Sequence, residues 1–226
     1  MHRKALVQQL CSLYSQRKPV LLIGAAGSGK TRTLLDVSKL LPLQICPETS
    51  SLGRICTSLE RHLGWNHDQG HVIERKNRLL NYLKSRNEPL AFDHVAATSP
   101  RVAGLIAILT DHIPIWIACR SDNRKEIGHI WSHLYKFTRI EVPLFTPAES
   151  AAMIENAVGS GRIPPKVSRH HLELHRLSQG IPGIMEHLLA ELATRNYNLD
   201  GSSGLRLLEL DRRMSALRQN GPGLKP

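Results

Sequence analysis

The chain is poor in aromatic residues, with three Phe, three Trp and four Tyr among 226 residues. So few rings exclude an extended platform for stacking unpaired bases, and any nucleic acid would be held mainly by its phosphates, with weak base reading. Cysteine is also scarce. Cys11, Cys46, Cys56 and Cys119 form no CxxC pair and each falls within an apolar segment, which reads as reduced, buried thiols. No run approaches the ~20 apolar residues of a membrane span, and the first residues, MHRKALVQQLCSLYSQRK, lack the uninterrupted apolar core and cleavage site of a signal peptide. A cytoplasmic, soluble protein is expected. Internal repeats and low-complexity tracts are absent as well. Acidic residues are outnumbered, 19 Asp and Glu against 30 Lys and Arg, which leaves a formal net charge of +11. A field of that sign favours polyanionic partners, double-stranded DNA first, although no run of five or more like charges concentrates it.

What is present begins with residues 19–31, PVLLIGAAGSGKT. An apolar run, Val20 to Ile23, enters the loop Gly24-Ala25-Ala26-Gly27-Ser28-Gly29, and Lys30 and Thr31 open a segment of helical character. The loop matches GxxxxGK[ST] in its strand-to-helix context. Side chains at its glycine positions would block a polyphosphate from the backbone N–H groups, and the helix N-terminus adds free donors and the positive end of its dipole. Lys30 reaches the β- and γ-phosphates in such a loop, and the Thr31 hydroxyl ligates Mg²⁺. ATP or GTP binding with Mg²⁺ is the first expectation.

The remaining pattern alternates helices and strands. Residues 3–17 form an amphipathic helix, and 43–46 read as a short strand. Helices over 51–65 and 72–86 follow, the second with a strongly basic outer face, and a polar loop, 66–71, lies between them. Residues 90–95, 114–119 and 138–142 are further strands, with a helix from 101 to 112 and a polar helix ending at Lys136. Near-continuous apolar strands alternating with helices indicate a parallel sheet covered on both faces. Ligands of such sheets bind at the C-terminal strand ends, where the phosphate loop, Asp93 and Arg120 to Asp122 all fall. After Pro143 only helices follow, at 147–158, 168–178, 182–197 and 205–219. The expected architecture is α/β, a three-layer P-loop sheet with a C-terminal helical lid: a nucleotide domain over 1–145, a lid over 146–219 and a disordered tail over 220–226.

Asp93 ends its strand one crossover after the phosphate loop, placed to hold the Mg²⁺ shell. Its neighbour is His94, where many hydrolysing NTPases of this layout carry the Glu that orients attacking water. His170, His171 and His175 lack a complete metal-ligand set and read as part of a packed or solvated helix. Leu207, Leu210, Met214 and Leu217 repeat at helical spacing, most simply a face packed on the lid.

With these residues in place the chain resembles the AAA+ superfamily, nearest to the initiator-like ATPases that include origin-recognition proteins and TniB-type transposition helpers. The likeness rests on the phosphate loop and on ETSSLGRICTSLERHLGW, RLLNYLKSRNEPLAFDHV, IWIACRS, RIEVPLFTPAES and the lid turn GIPG. STAND signalling NTPases share some of these features. The resemblance implies that Lys30 and Thr31 are the Walker A pair, with Asp93 the Walker B metal residue. Arg120 or Ser121 lies near sensor 1, without its usual Asn or Thr. Lys136 stands where an arginine finger is frequent, keeping charge but losing the planar fork, and Gly183 where a sensor-2 Arg is frequent. These departures imply an ATP-binding switch for a DNA-associated assembly, with slow or partner-stimulated hydrolysis, as a homo-oligomer or with a protein partner. The alternative they leave open is a non-hydrolysing, nucleotide-gated adaptor or STAND-like module that recruits a protein. On either reading Lys30→Ala abolishes or badly weakens nucleotide binding; unchanged affinity in a fluorescent-nucleotide titration overturns the site assignment.

Overall fold

Five apolar segments become the strands β1 (Val20–Ile23), β2 (Gln44–Cys46), β3 (Leu90–Val95), β4 (Ile115–Cys119) and β5 (Thr138–Glu141). All pairings are parallel, in the order β2-β3-β4-β1-β5. The computed structural model describes residues 3–65, 70–86, 88–195, 197–199 and 202–220, with the side chains of 202–203 and 215–220 excepted. Most of the loop read at 66–71, the tail from 221 and the side chain of Leu217 lie outside the described residues.

Successive side chains of a strand point to opposite faces, and here both faces are apolar. Val20, Leu22, Ala91, Trp116 and Ala118 enter one core. There they meet Leu6, Val7 and Leu10 of α1 (Lys4–Ser15) and Leu34 and Val37 of α2 (Lys30–Ser38). Leu21, Leu90, Phe92, Ile115, Ile117 and Cys119 enter the other. They pack on α3 (Leu52–His62), α4 (Val72–Arg86) and α5 (Pro100–Thr110). The result is the three-layer α/β sheet. All four cysteines are free, and burial pushes the Cys46 and Cys119 thiols up to about 11, which keeps them as unreactive thiols at neutral pH.

The polar helix expected up to Lys136 is not continuous. A single turn, α6 (Arg124–Ile127), ends at Gly128, and His129–Lys136 continues as a 3-10 helix. The cause is tertiary. Thr98 pairs with Gly128, and its hydroxyl donates to Ile127 O at 2.7 Å and accepts from Ile130 N at 2.9 Å. Gly128 has φ +78°, and a Cβ there would stand 2.4 Å from Thr98 N. Glycine is required, and the chain cannot run through it as a helix.

The chain divides into two compact units, Met1–Val142 and Pro143–Pro226. The second contains α7 (Pro147–Gly159), α8 (His171–Ser178), α9 (Pro182–Thr194) and α10 (Ser202–Asn220), with a 3-10 turn over Pro165–His170 where the expected helix begins. It has its own core, including Ile154, Leu174, Leu188 and Leu208. The stripe on α10 is a correction. Leu207, Leu210 and Met214 are exposed, whereas Leu208 is buried and Leu205 packs beside it. Asp211, one turn beyond Leu208, accepts from Tyr197 Oη at 2.8 Å and pairs with Arg195. That polar contact selects the face that packs. Among the described residues no helix is long and apolar enough to cross a membrane.

One ion-pair network ties α3 to α4. Glu60 is fully buried; Arg75 donates to its Oε2 from Nε and Nη2 at 2.9 and 2.6 Å, and Arg78 donates to Oε1 at 2.8 Å. Burial raises the Glu60 pKa, but the two guanidinium groups outweigh it and the net shift is downward. Stability from this group is therefore full above the unfolded carboxylate value, ~4.3, and is lost as pH falls through the lower folded value. Glu60→Gln, which leaves two arginines without their carboxylate, should cost about 3 kcal/mol in urea unfolding at neutral pH. The variant should also lack this component of acid destabilisation.

Candidate nucleotide-binding site

The N-terminus of α2, like those of α1, α8 and α9, has no side-chain cap. Helices α3, α5 and α7 are capped by Ser51, Ser99 and Thr146, whose hydroxyls accept from first-turn N–H groups. The cap position of α2 is Gly29, left-handed at φ +92°, with no side-chain bond. Within the loop, Gly24 N donates to Cys119 O and Ser28 N to Ala25 O. The N–H groups of Gly27, Gly29, Lys30 and Thr31 have no backbone partner among the described residues. These donors, on a helix that has given up its own cap, suit an external anion. Gly24 is held closely, since a Cβ there would lie 2.7 Å from Ser28 Oγ and 3.2 Å from the Val142 Cβ. The Arg3 guanidinium adds a positive charge beside the loop, with Nη1 3.4 Å from the point a Gly29 Cβ would occupy.

Lys30 is 7% exposed, and its Nζ donates to Gly24 O at 2.7 Å and Ala25 O at 2.9 Å. Two of its three protons are thus used, and the third remains for a ligand. Burial lowers its pKa, and Asp93 opposes that shift; an arriving phosphate would oppose it further. The Thr31 hydroxyl donates to Asp93 Oδ2 at 2.6 Å. Asp93 is 1% exposed, and its Oδ1 accepts from His94 N at 2.8 Å. A buried carboxylate and a hydroxyl in contact are oxygen donors that fit Mg²⁺. The phosphate loop, His94, Arg120 and Ser121 line one cavity of ≈ 710 Å³.

His94 reaches this cluster through an irregularity. Phe92 pairs with Ile117 but the next pairing is Val95 with Cys119, so β3 holds one residue more than β4. His94 takes φ +54°, and its Nε2 lies 3.4 Å from both Thr31 Oγ1 and Asp93 Oδ2. The hydroxyl of Thr49 ties the bulge down by donating to Asp93 O at 3.4 Å and His94 O at 3.2 Å. Thr49 was missed in the sequence, because nothing local connects it to Asp93 or His94. Arg3 was missed as well, because nothing local connects it to Gly29.

Lys136 is not brought to this cluster. Thr138 of β5 lies opposite Val20 of β1, so Lys136 precedes the N-terminal edge of the sheet while the loop leaves its C-terminal edge. Four residues of strand, roughly 13 Å, separate the two edges. Lys136 instead donates to Asp111 at 2.5 Å, a contact that raises its pKa. In the helical unit Gly183 lies in the first turn of α9. His175 Nδ1 bonds Ser150 Oγ at 2.8 Å and His171 Nδ1 meets Ser168 O at 3.1 Å, and no cluster of three His, Cys, Asp or Glu side chains suits a metal among the described residues.

No family model and no curated protein matches the chain by sequence. Solved structures match it by fold. The Orc1 protein of Aeropyrum pernix, determined in complex with DNA, superposes with a TM-score of 0.70 at 16% identity, over 98% of this chain and 69% of that one. A Walker-type ATPase of Pyrococcus abyssi gives 0.61 at 16% identity, over 97% and 76%. Cdc6p of Pyrobaculum aerophilum gives 0.56 at 17%, over 97% and 63%. The chain therefore has the P-loop α/β fold seen in the Orc1 and Cdc6 proteins. Asp93→Asn removes the charge that Thr31 contacts, so the gain in ADP affinity on adding Mg²⁺ should fall by about ten- to a hundredfold, read by calorimetry with and without Mg²⁺. A full Mg²⁺ gain in the variant removes Asp93 from the site.

Proposed function

We propose that this chain is an AAA+ ATPase of the initiator-like group, which includes origin-recognition proteins and TniB-type transposition helpers. It binds ATP with Mg²⁺ at residues 24–31, hydrolyses it slowly or under stimulation by a partner, and so switches a DNA-associated assembly in the cytoplasm. The observation that carries this is the uncapped N-terminus of α2, with Lys30 folded over the loop and Thr31 in contact with a buried Asp93. In this reading the loop N–H groups and Lys30 hold the β- and γ-phosphates, and Thr31 and Asp93 hold the cation. The bound Mg²⁺ neutralises phosphate charge. Lys136, remote from its own loop, serves the site of a neighbouring subunit, which makes a homo-oligomer part of the proposal. The boundary near residue 145 separates the nucleotide domain from a lid, 146–219, that responds to the nucleotide.

The net charge of +11 supports duplex DNA as the partner. Lys84 and Arg86 on α4 are exposed, Arg86 within reach of Glu88 at 3.1 Å. That the Orc1 protein was determined with DNA supports the same choice. A second reading, a non-hydrolysing adaptor or STAND-like module for a protein partner, is favoured by a histidine in place of Glu at position 94.

The test is ATP turnover by the purified protein with and without duplex DNA, with Lys30→Ala as the blank. Turnover should rise with DNA and vanish in the variant. With about four phosphates neutralised, DNA affinity should fall on the order of 100-fold between 50 and 200 mM salt. ATP-dependent capture of a protein partner, without turnover or DNA affinity, decides for the adaptor.

A further inference from the structure

The bulge in β3 brings a nitrogen to a cation site otherwise made of oxygen. In a regular strand Asp93 would share the face of Ala91, and His94 would point to the opposite face with Phe92. Val95 instead occupies the place on the Phe92 side, buried and paired with Cys119. The left-handed backbone at His94, costly for a residue other than glycine, turns its ring to the side of Asp93. Three atoms then converge: Thr31 Oγ1, Asp93 Oδ2 and His94 Nε2, separated by 2.6, 3.4 and 3.4 Å. The circle through them has a radius of about 1.8 Å, shorter than a metal–oxygen or metal–imidazole bond of about 2.1 Å, so the three atoms lie close enough together for one cation to touch them all. The His94 side chain is 69% exposed, which leaves it open to a ligand.

We propose that His94 is a direct ligand, through Nε2, of the divalent cation that accompanies the nucleotide, and that the site therefore favours a first-row transition cation over Mg²⁺. The inference rests on the reading that a nucleotide occupies the loop. Mg²⁺ demands oxygen ligands and gives up water reluctantly, whereas transition cations accept imidazole. The proton of the ring then resides on Nδ1, and Nε2 offers its lone pair. The protein contributes a hydroxyl, a carboxylate and an imidazole; phosphate oxygens and water complete the shell. Histidine at this position is then a choice of metal rather than only the loss of a water-orienting carboxylate.

Mn²⁺ is the probe, bound with ADP to the full chain and followed by pulsed electron paramagnetic resonance. The wild-type protein should show a coupled ¹⁴N that becomes ¹⁵N when histidine alone is ¹⁵N-labelled. The coupling should disappear in both His94→Asn and His94→Gly, residues at ease with φ +54°. In competition, the preference for Mn²⁺ over Mg²⁺ should fall about tenfold or more in both variants. A histidine nitrogen signal and a metal preference that survive both substitutions, or a wild-type protein without that signal although Mn²⁺·ADP is bound, overturn the proposal. Failure of the wild-type protein to bind ADP with either cation overturns instead the nucleotide reading beneath it, and the same titrations reveal which has failed.

Discussion

The contact between the Thr31 hydroxyl and the Asp93 carboxylate, 2.6 Å across 62 residues of sequence, is the constraint on which the site depends. Thr31 comes after β1 and Asp93 lies within β3, strands that are not neighbours, because β4 lies between them. Both must end level at the same edge of the sheet for the contact to form. The apolar alternation that buries both faces fixes that register, since a slip of one residue would turn Leu21 or Trp116 to the wrong core. Around the contact, Thr49 holds the β3 bulge, and Thr98 with Gly128 locks the loop after β3 to the turn after α6. These ties hold the rim in shape before any ligand arrives.

The same rim is left chemically unfinished. A side-chain cap is worth about 1 kcal/mol to a helix, and α2 forgoes one where α3, α5 and α7 each have it. Lys30 is buried enough to lower its pKa, and His94 holds a left-handed backbone. Each of these features costs stability in the free protein. A polyphosphate with its cation would satisfy the first two directly: donors meet oxygen, and the ammonium gains an anion. Local cost concentrated at one rim, beside a well-packed core, is the pattern of a binding site rather than of a structural turn.

Much of this was legible in the sequence, for physical reasons. A parallel sheet covered on both sides needs strands apolar at every position, and VLLI, LAF and IWIAC announce themselves against polar helices. The phosphate loop was readable because its glycines and lysine are required by local geometry. What the sequence hid depends on contacts distant along the chain. Nothing near Gly128 reveals that Thr98 approaches it, so local pattern alone predicts an unbroken helix up to Lys136. The convergence of His94 with Thr31 requires the bulge, which alternation cannot display. Helical spacing identified a stripe on α10, yet the face that packs was chosen by Asp211 reaching Tyr197.

The most direct test of the account is amide hydrogen exchange across the whole chain with and without ADP and divalent cation. The account predicts strong slowing at Gly27, Gly29, Lys30 and Thr31, whose N–H groups have no backbone partner among the described residues, and a smaller effect at residues 93–94. Exchange at those four positions that is unchanged while nucleotide is bound would contradict it, because the phosphates would then lie elsewhere.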